Sequence, residues 1–415
     1  MATFHIDRDG FFTYTIVPAN NTYILDRDIS LVTEGSPMVV QASATNTTLK
    51  LNGQLVAGGL SSALVLSADD STATVGRHGA LMGNFGATIQ GDRAEFTNHG
   101  LVDGFNYGMQ LQGLTSSVLN DGTILGNVYG IIIGENATKQ AFEIDNDGLI
   151  DSGHTGIYTN ATHGAFLLGG DSRIIGETIA IRAVSFAGGT TDVINNGFMK
   201  TLDTTAYAGG DGIDTFINNG LVRGDVLLGG GDDFYNDRGG RTIGQVLGGA
   251  GSDIYVVSSY KTRIFEDESR EANNNDIVRS SVTYLLDGHG EIETLVLTGR
   301  GNISGFGNEY DNVIIGNRGN NKIDGGDGSD DLTGGAGRDT FIFRPDLAED
   351  HIRDFENGVD RIQIGGFEAR RFEDLELTQA GRDVEIRLFS GEIGEVIVVQ
   401  NVKLTQIDAG DFIFV

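Results

Sequence analysis

Asn312, Asn321, Asp330 and Asp339 share one position of a nine-residue register. They sit sixth in "GNEYDNVII", "GNRGNNKID", "GGDGSDDLT" and "GGAGRDTFI", which run unbroken from Gly307 to Ile342. Each unit opens on Gly, and its eighth residue is large and apolar: Ile314, Ile323, Leu332, Phe341. Gly326, Gly328, Gly335 and Gly337 fill the turns of the two Asp-bearing units. Glycine permits backbone angles that leave carbonyl oxygens facing inward, and Asp adds a hard anionic oxygen. The chemistry these residues could do is to gather oxygens around a cation. If two units make one coil, turns eighteen residues apart stack. Asp330 then lies against the Asn312 turn, and Asp339 against the Asn321 turn. A cage of six to eight oxygens suits calcium. Asn offers only a neutral oxygen, so the sites sharing Asn312 and Asn321 are expected to be weaker.

Three looser copies precede the block: "GGDGIDTF" with Asp214, "LGGGDDFY" with Asp233 and "LGGAGSDIY" with Asp253. Their acidic residues are nineteen and twenty apart, close to one coil. They read either as further metal ligands or as exposed turn carboxylates.

Positioning such turns takes a stack of short strands. The apolar residue of each nine-residue unit fills a narrow core between two sheets, which predicts a parallel β-roll over residues 305–345. Upstream, from about residue 50, a wider period of roughly two dozen residues appears. A small turn dipeptide precedes an apolar pair at Gly53, Gly79, Gly100, Gly122, Gly148, Gly197 and Gly220, with a degenerate copy at Asp171. Three short strands and three turns per unit predict a parallel β-helix over residues 49–256, since no unit can bury its own apolar face. Asn98, Asn120, Asn146, Asn195 and Asn218 each precede the turn Gly by two and are expected to stack as a ladder. Exposed turn residues are the other reading. Gly108, Gly130 and Gly156 suggest a column of tight bends. The fold class is therefore all-β, a parallel β-helix followed by a calcium-binding β-roll. Residues 1–48 read as a β cap, 257–304 as a spacer with strands, and 346–415 as a C-terminal β domain.

The 58 acidic and 28 basic residues give a formal net charge of −30, which repels nucleic acid and attracts cations. With no Cys among 415 residues, disulfides and thiolate metal sites are excluded. No apolar run is long enough to span a membrane. The opening residues lack the pattern of a cleaved secretory signal.

The G-G-x-G-x-D-x-U-x register resembles the RTX, or haemolysin-type, calcium-binding repeats. The tail "DHIRDFENGVDRIQIGGFE" is similar to the segment that follows such repeats in serralysin-type proteins. The final Asp411, Phe412, Ile413, Phe414 and Val415 resemble the uncleaved export signal of serralysin-type substrates of type I ABC exporters. A plain closing strand is the alternative for these five residues. The resemblance implies calcium as cofactor, a type I exporter as partner and an extracellular or cell-surface location. The histidines never occur as H-E-x-x-H, so a metalloprotease is not expected, and no G-x-S-x-G elbow occurs. Two functions remain. One is a non-enzymatic extracellular matrix or adhesion protein, which could meet polysaccharide or a cell surface. The other is a polysaccharide lyase or epimerase, for which Tyr107, Tyr129, Asp151, His154 and Tyr158 are the candidates. Cations beside carboxylates in one groove would favour the second.

Overall fold

The computed structural model describes residues 2–10, 13–16, 19–33, 40–134, 141–266, 274–286, 291–346, 348–390 and 393–415. His289 and residues 267–273 of the predicted spacer lie outside that set. The chain divides into two compact units, Met1–Gly249 and Ala250–Val415.

The first unit is a solenoid with three parallel strand stacks. One stack climbs through Thr48–Leu51, Thr72–Val75, Glu95–Asn98, Ser116–Asn120 and Ala141–Asn146 and onward. A second includes Gln54–Ala57, Thr123–Gly126 and Leu149–Ser152, and a third Ser62–Leu66, Tyr129–Ile133 and Thr155–Thr159. Longer strands such as Leu101–Leu111 turn a corner and serve both. Thr3–Ile6 and Thr22–Leu25, within the segment read as a cap, pair in the same parallel register. Every second side chain points inward. Val118, Ile144, Phe166, Val193 and Phe216 thus form one buried column in successive coils.

The Asn ladder forms inside this unit. Asn98 donates to Asn120 at 2.7 Å, Asn120 to Asn146 at 2.6 Å, and Asn195 to Asn218 at 2.8 Å. All five residues are fully buried. At the degenerate copy the Ser172 hydroxyl takes the rung, accepting from Asn146 at 2.6 Å. The other glycine column differs from expectation. Gly108, Gly130 and Gly156 lie within strands, not bends. Glycine is needed there because successive coils approach closely: a Cβ on Gly130 would stand 2.6 Å from the Gly156 carbonyl oxygen.

The second unit narrows to two parallel strand stacks. One contains Ile254–Val257, Ile277–Ser280, Thr294–Leu297, Val313–Ile315, Asp331–Thr333 and Glu349–Ile352. The other contains Tyr284–Leu285, Gly305–Phe306, Lys322–Asp324, Thr340–Phe343, Arg361–Ile364 and Phe412–Phe414. Val313 faces Asp331 and Lys322 faces Thr340, so one coil is eighteen residues, two nine-residue units. Ile314, Ile323, Leu332 and Phe341 are all fully buried between the stacks. An antiparallel hairpin, Asp383–Ser390 with Ile393–Val399, lays its second strand parallel against Glu349–Ile352. Among the described residues, helix is confined to three short 3₁₀ turns, and none is long and apolar enough to cross a membrane.

Candidate metal centre

The sixth residue of each repeat stands two before the buried apolar residue, so it shares that residue's inward face. Asn312, Asn321, Asp330 and Asp339 are accordingly buried, none more than 1% exposed. Asp330 Oδ1 accepts the Asn312 backbone N–H at 2.8 Å, and Asp339 Oδ1 accepts that of Asn321 at 2.7 Å. The next coil repeats the contact: Asp350 Oδ1 accepts from Asp330 N–H, and Asp360 Oδ1 from Asp339 N–H, each at 2.9 Å. Asp330 Oδ2 and Asp339 Oδ2 are buried and have no hydrogen-bond partner among the described residues. Burial raises Asp330 to about 8, helped by the charges of Asp350, Asp346 and Asp311. Burial likewise raises Asp339 to about 6, with Asp360 and Asp354 adding to it. Bare hard oxygens among like charges are what a divalent cation resolves, so these residues fit calcium.

The two Asn turns are built differently, and the second residue decides it. In the Asp turns that residue is Gly326 or Gly335, at φ of +104° and +87°. Their N–H groups go to other carboxylates, Asp324 and Asp354. In the Asn turns it is Asn308 or Asn317, with no positive φ. Their N–H groups point back and donate to Asn312 Oδ1 and Asn321 Oδ1, each at 2.9 Å. The Asn312 amide then donates to Ile292 O at 2.9 Å, and that of Asn321 to Ile303 O at 2.6 Å. The Asn turns therefore satisfy themselves, whereas the Asp turns leave an oxygen bare.

The backbone signature of the Asp turns recurs upstream. Gly229 and Gly231 precede Asp233, and Gly249 and Gly251 precede Asp253, at φ between +104° and +122°. At Asp214 the sequence matches as well, yet Gly210 and Gly212 lack positive φ. The Tyr207 hydroxyl donates to Asp214 Oδ2 at 2.9 Å, while Asp214 Oδ1 is buried without a hydrogen-bond partner among the described residues. Asp214, Asp233 and Asp253 are all buried rather than exposed. Asp214 N–H donates to Asp233 Oδ1 at 2.7 Å. Asp253 joins two residues that stand outside the repeat motif, Glu266 and Asp276, with carboxylate oxygens within 4.8 Å of one another. Asp276 and Asp350 lie outside any glycine turn, whereas Asp360 closes one in which Gly358 has φ +72° and Glu356 N–H donates to Asp360 Oδ2 at 2.8 Å. Their signal in the sequence is an Asp two residues before a buried apolar residue: Val278, Ile352 and Ile362.

The enzyme candidates separate. Tyr107, Tyr129 and Tyr158 stack with ring centres 5.3 Å apart, and His154 meets Tyr129 edge-on at 6.5 Å. Asp151 instead lines an open groove of about 460 Å³ with Asp103, Glu177 and the exposed Phe105. Burial raises the Asp151 pKa. No Lys or Arg lines that groove. At the other end of the chain, Asp411 is buried, and Phe412–Phe414 pair parallel with Ile362–Ile364.

Residues 306–341 match the RTX calcium-binding nonapeptide repeat, in four copies. No curated protein sequence matches the chain. Among solved structures the chain is similar to the extracellular lipase LipA from Serratia marcescens, at 17% identity and a TM-score of 0.23. That match covers 61% of this chain and 45% of the lipase.

Proposed function

Residues 306–341 are calcium-binding RTX repeats, and from that premise we propose that the chain is a secreted, calcium-stabilised, non-enzymatic protein of the cell surface or extracellular matrix. The observation that carries the calcium chemistry is the pair of buried, unpartnered oxygens, Asp330 Oδ2 and Asp339 Oδ2. Asp330, Asp339, Asp350 and Asp360 would hold the ions, and calcium would supply the positive charge that the column lacks. Asp233 and Asp253 follow the same glycine pattern and are proposed as further ligands. The β-helix is proposed as the adhesive surface toward cells or polysaccharide. The groove around Asp151 has no Lys or Arg in its lining, while the charges of Arg173 and Lys200 reach the Asp151 carboxylate, so the lyase is the second reading that the test must separate. Export through a type I ABC exporter is supported by the serralysin-like ending. Its test is deletion of Asp411–Val415, with loss of the protein from the medium as the expected result.

The test of the main reading uses calcium-loaded protein with cells and a panel of uronate polysaccharides. Retention that EDTA reverses, without sugar cleavage, is expected. Unsaturated uronate products would replace this reading with the lyase.

A further inference from the structure

The second strand stack of the solenoid turns a patterned face outward. Leu81, Val102 and Ile124 point into the core along it, so the residues on either side of them point out. One outward column runs in unbroken register through eight coils, from Met82 and Asp103 to Arg223 and Ile243. Its charge changes sign halfway. Asp103 and Asp151 stand in the second and fourth coils, Lys200 and Arg223 in the sixth and seventh. The other four positions are apolar: Met82, Leu125, Ile175 and Ile243, the last 40% exposed. The flanking outward column keeps the same polarity. Leu101 and Leu149 lie in the lower coils, and Arg173 and Arg241 in the upper ones. Within the chain, Asp151 feels the charges of Arg173 and Lys200. No ion pair engages Asp103 or Arg223 among the described residues; those of this unit sit elsewhere, at His5, Arg93 and His99.

A face with acids at one end and bases at the other complements itself when reversed. A two-fold axis at the middle of the eight coils sets the first coil against the eighth of a second copy, and the second against the seventh. Met82 then meets Ile243, and Asp103 meets Arg223, once on each side of the axis. Lys200 falls opposite Leu125, where its apolar stem can lie along the leucine. A parallel pairing would instead set Asp103 against Asp103 and Arg223 against Arg223.

We infer that this face pairs two copies of the chain, antiparallel and face to face, through Asp103 and Arg223 and the apolar residues between them. Neighbouring strands lie about 4.8 Å apart, so the eight coils offer a strip about 34 Å long. One sheet face of that length sits at the small end of specific interfaces, so the dimer forms at high concentration and loosens with salt. The pairing covers the groove lined by Asp103 and Asp151, in keeping with a non-enzymatic role, and it does not rest on calcium in the repeats.

The test is sedimentation equilibrium of the full-length, calcium-loaded protein over a concentration series at low and high salt. Wild type is expected to approach the dimer mass as concentration rises, and less so at high salt. Asp103→Lys and Arg223→Asp should each be monomeric, because like charges then face each other at both contacts. Mixed together, the two variants should pair, since each contact again joins opposite charges, and that rescue shows both to be folded. A wild-type monomer at every concentration overturns the inference, as does a dimer that both single variants retain. Variants that stay monomeric when mixed overturn the two-fold arrangement. A monomer that holds uronate polysaccharide, and loses it on Arg223→Asp, overturns the pairing and gives the face to a polyanion.

Discussion

Whether a turn demands a cation depends on its second residue as much as on its sixth. Asn317 holds the second turn shut by donating to Asn321 Oδ1 and to the carbonyls of Thr298 and Gly301. The double substitution Asn317→Gly, Asn321→Asp should therefore add one calcium equivalent, countable by dialysis. Without calcium the variant should lose roughly 1–3 kcal/mol, the cost of stranding those buried groups. A gain in calcium-free stability would contradict this account. The pH response follows from Asp339 at about 6 and Asp330 at about 8. Both are raised above the ordinary carboxylate value, so the folded state holds their protons more tightly than the unfolded state does. Their stabilising contribution to the calcium-free roll is present below about pH 4 and is lost as pH rises through about 6 and then about 8. Denaturant melts in EDTA should show the second unit weaker at pH 8 than at pH 5. Calcium competes with those protons, so its apparent affinity should fall on acidification over the same range. Calorimetric titrations at several pH values would check it, and a flat profile would refute the coupling.

At the scale of elements, two ladders hold the two units, and only one of them should answer to calcium. The β-helix ladder is neutral and internally satisfied. Asn120 accepts from Asn98 at 2.7 Å and donates to Asn146 at 2.6 Å, fully buried. Asn120→Ala should cost roughly 1–3 kcal/mol, equally in calcium and in EDTA. Asn120→Ser should cost less, because Ser172 already serves as a rung. Thermal melts of both variants with and without calcium make the comparison. In the roll, Leu332 is fully buried and fills a core only two strands wide. Leu332→Ala should cost about 2–5 kcal/mol in the calcium-loaded state. The carboxylate ladder beside it behaves oppositely, since each Asp adds charge that its neighbours resist.

For the molecule as a whole, these ladders predict two folding behaviours in one chain. The unit Met1–Gly249 buries columns of apolar side chains and needs no ion for most of its coils. In the unit Ala250–Val415, buried carboxylates gather along the coil edges. Limited proteolysis in EDTA should cut within residues 250–415 and spare a fragment near 1–249. Calcium in the extracellular range, about 0.1–1 mM, should abolish those cuts and increase the strand signal in circular dichroism. Cuts falling first in the β-helix would reverse the assignment. Asp330→Ala with Asp339→Ala should raise the calcium needed, whereas Asp171→Ala should not.

By itself the sequence determined the coil. A nine-residue period with an apolar eighth position admits only a two-unit coil, and Val313 facing Asp331 follows from it. The Asn ladder was legible for the same reason: one residue type recurring at one offset from a turn glycine marks one height in a stack. Local spacing sufficed because each coil touches chiefly its neighbours. Tertiary structure decided which polar atoms remain bare. Asp214 carries the full glycine motif, yet its glycines lack the positive φ and Tyr207 takes one of its two oxygens, leaving Oδ1 bare. Asp350 and Glu395 carry no motif, yet they reach the column because strands twenty and forty-seven residues apart are laid side by side. Whether each carboxylate oxygen is paired depends on what packing brings to it, and the glycine motif alone does not carry that information.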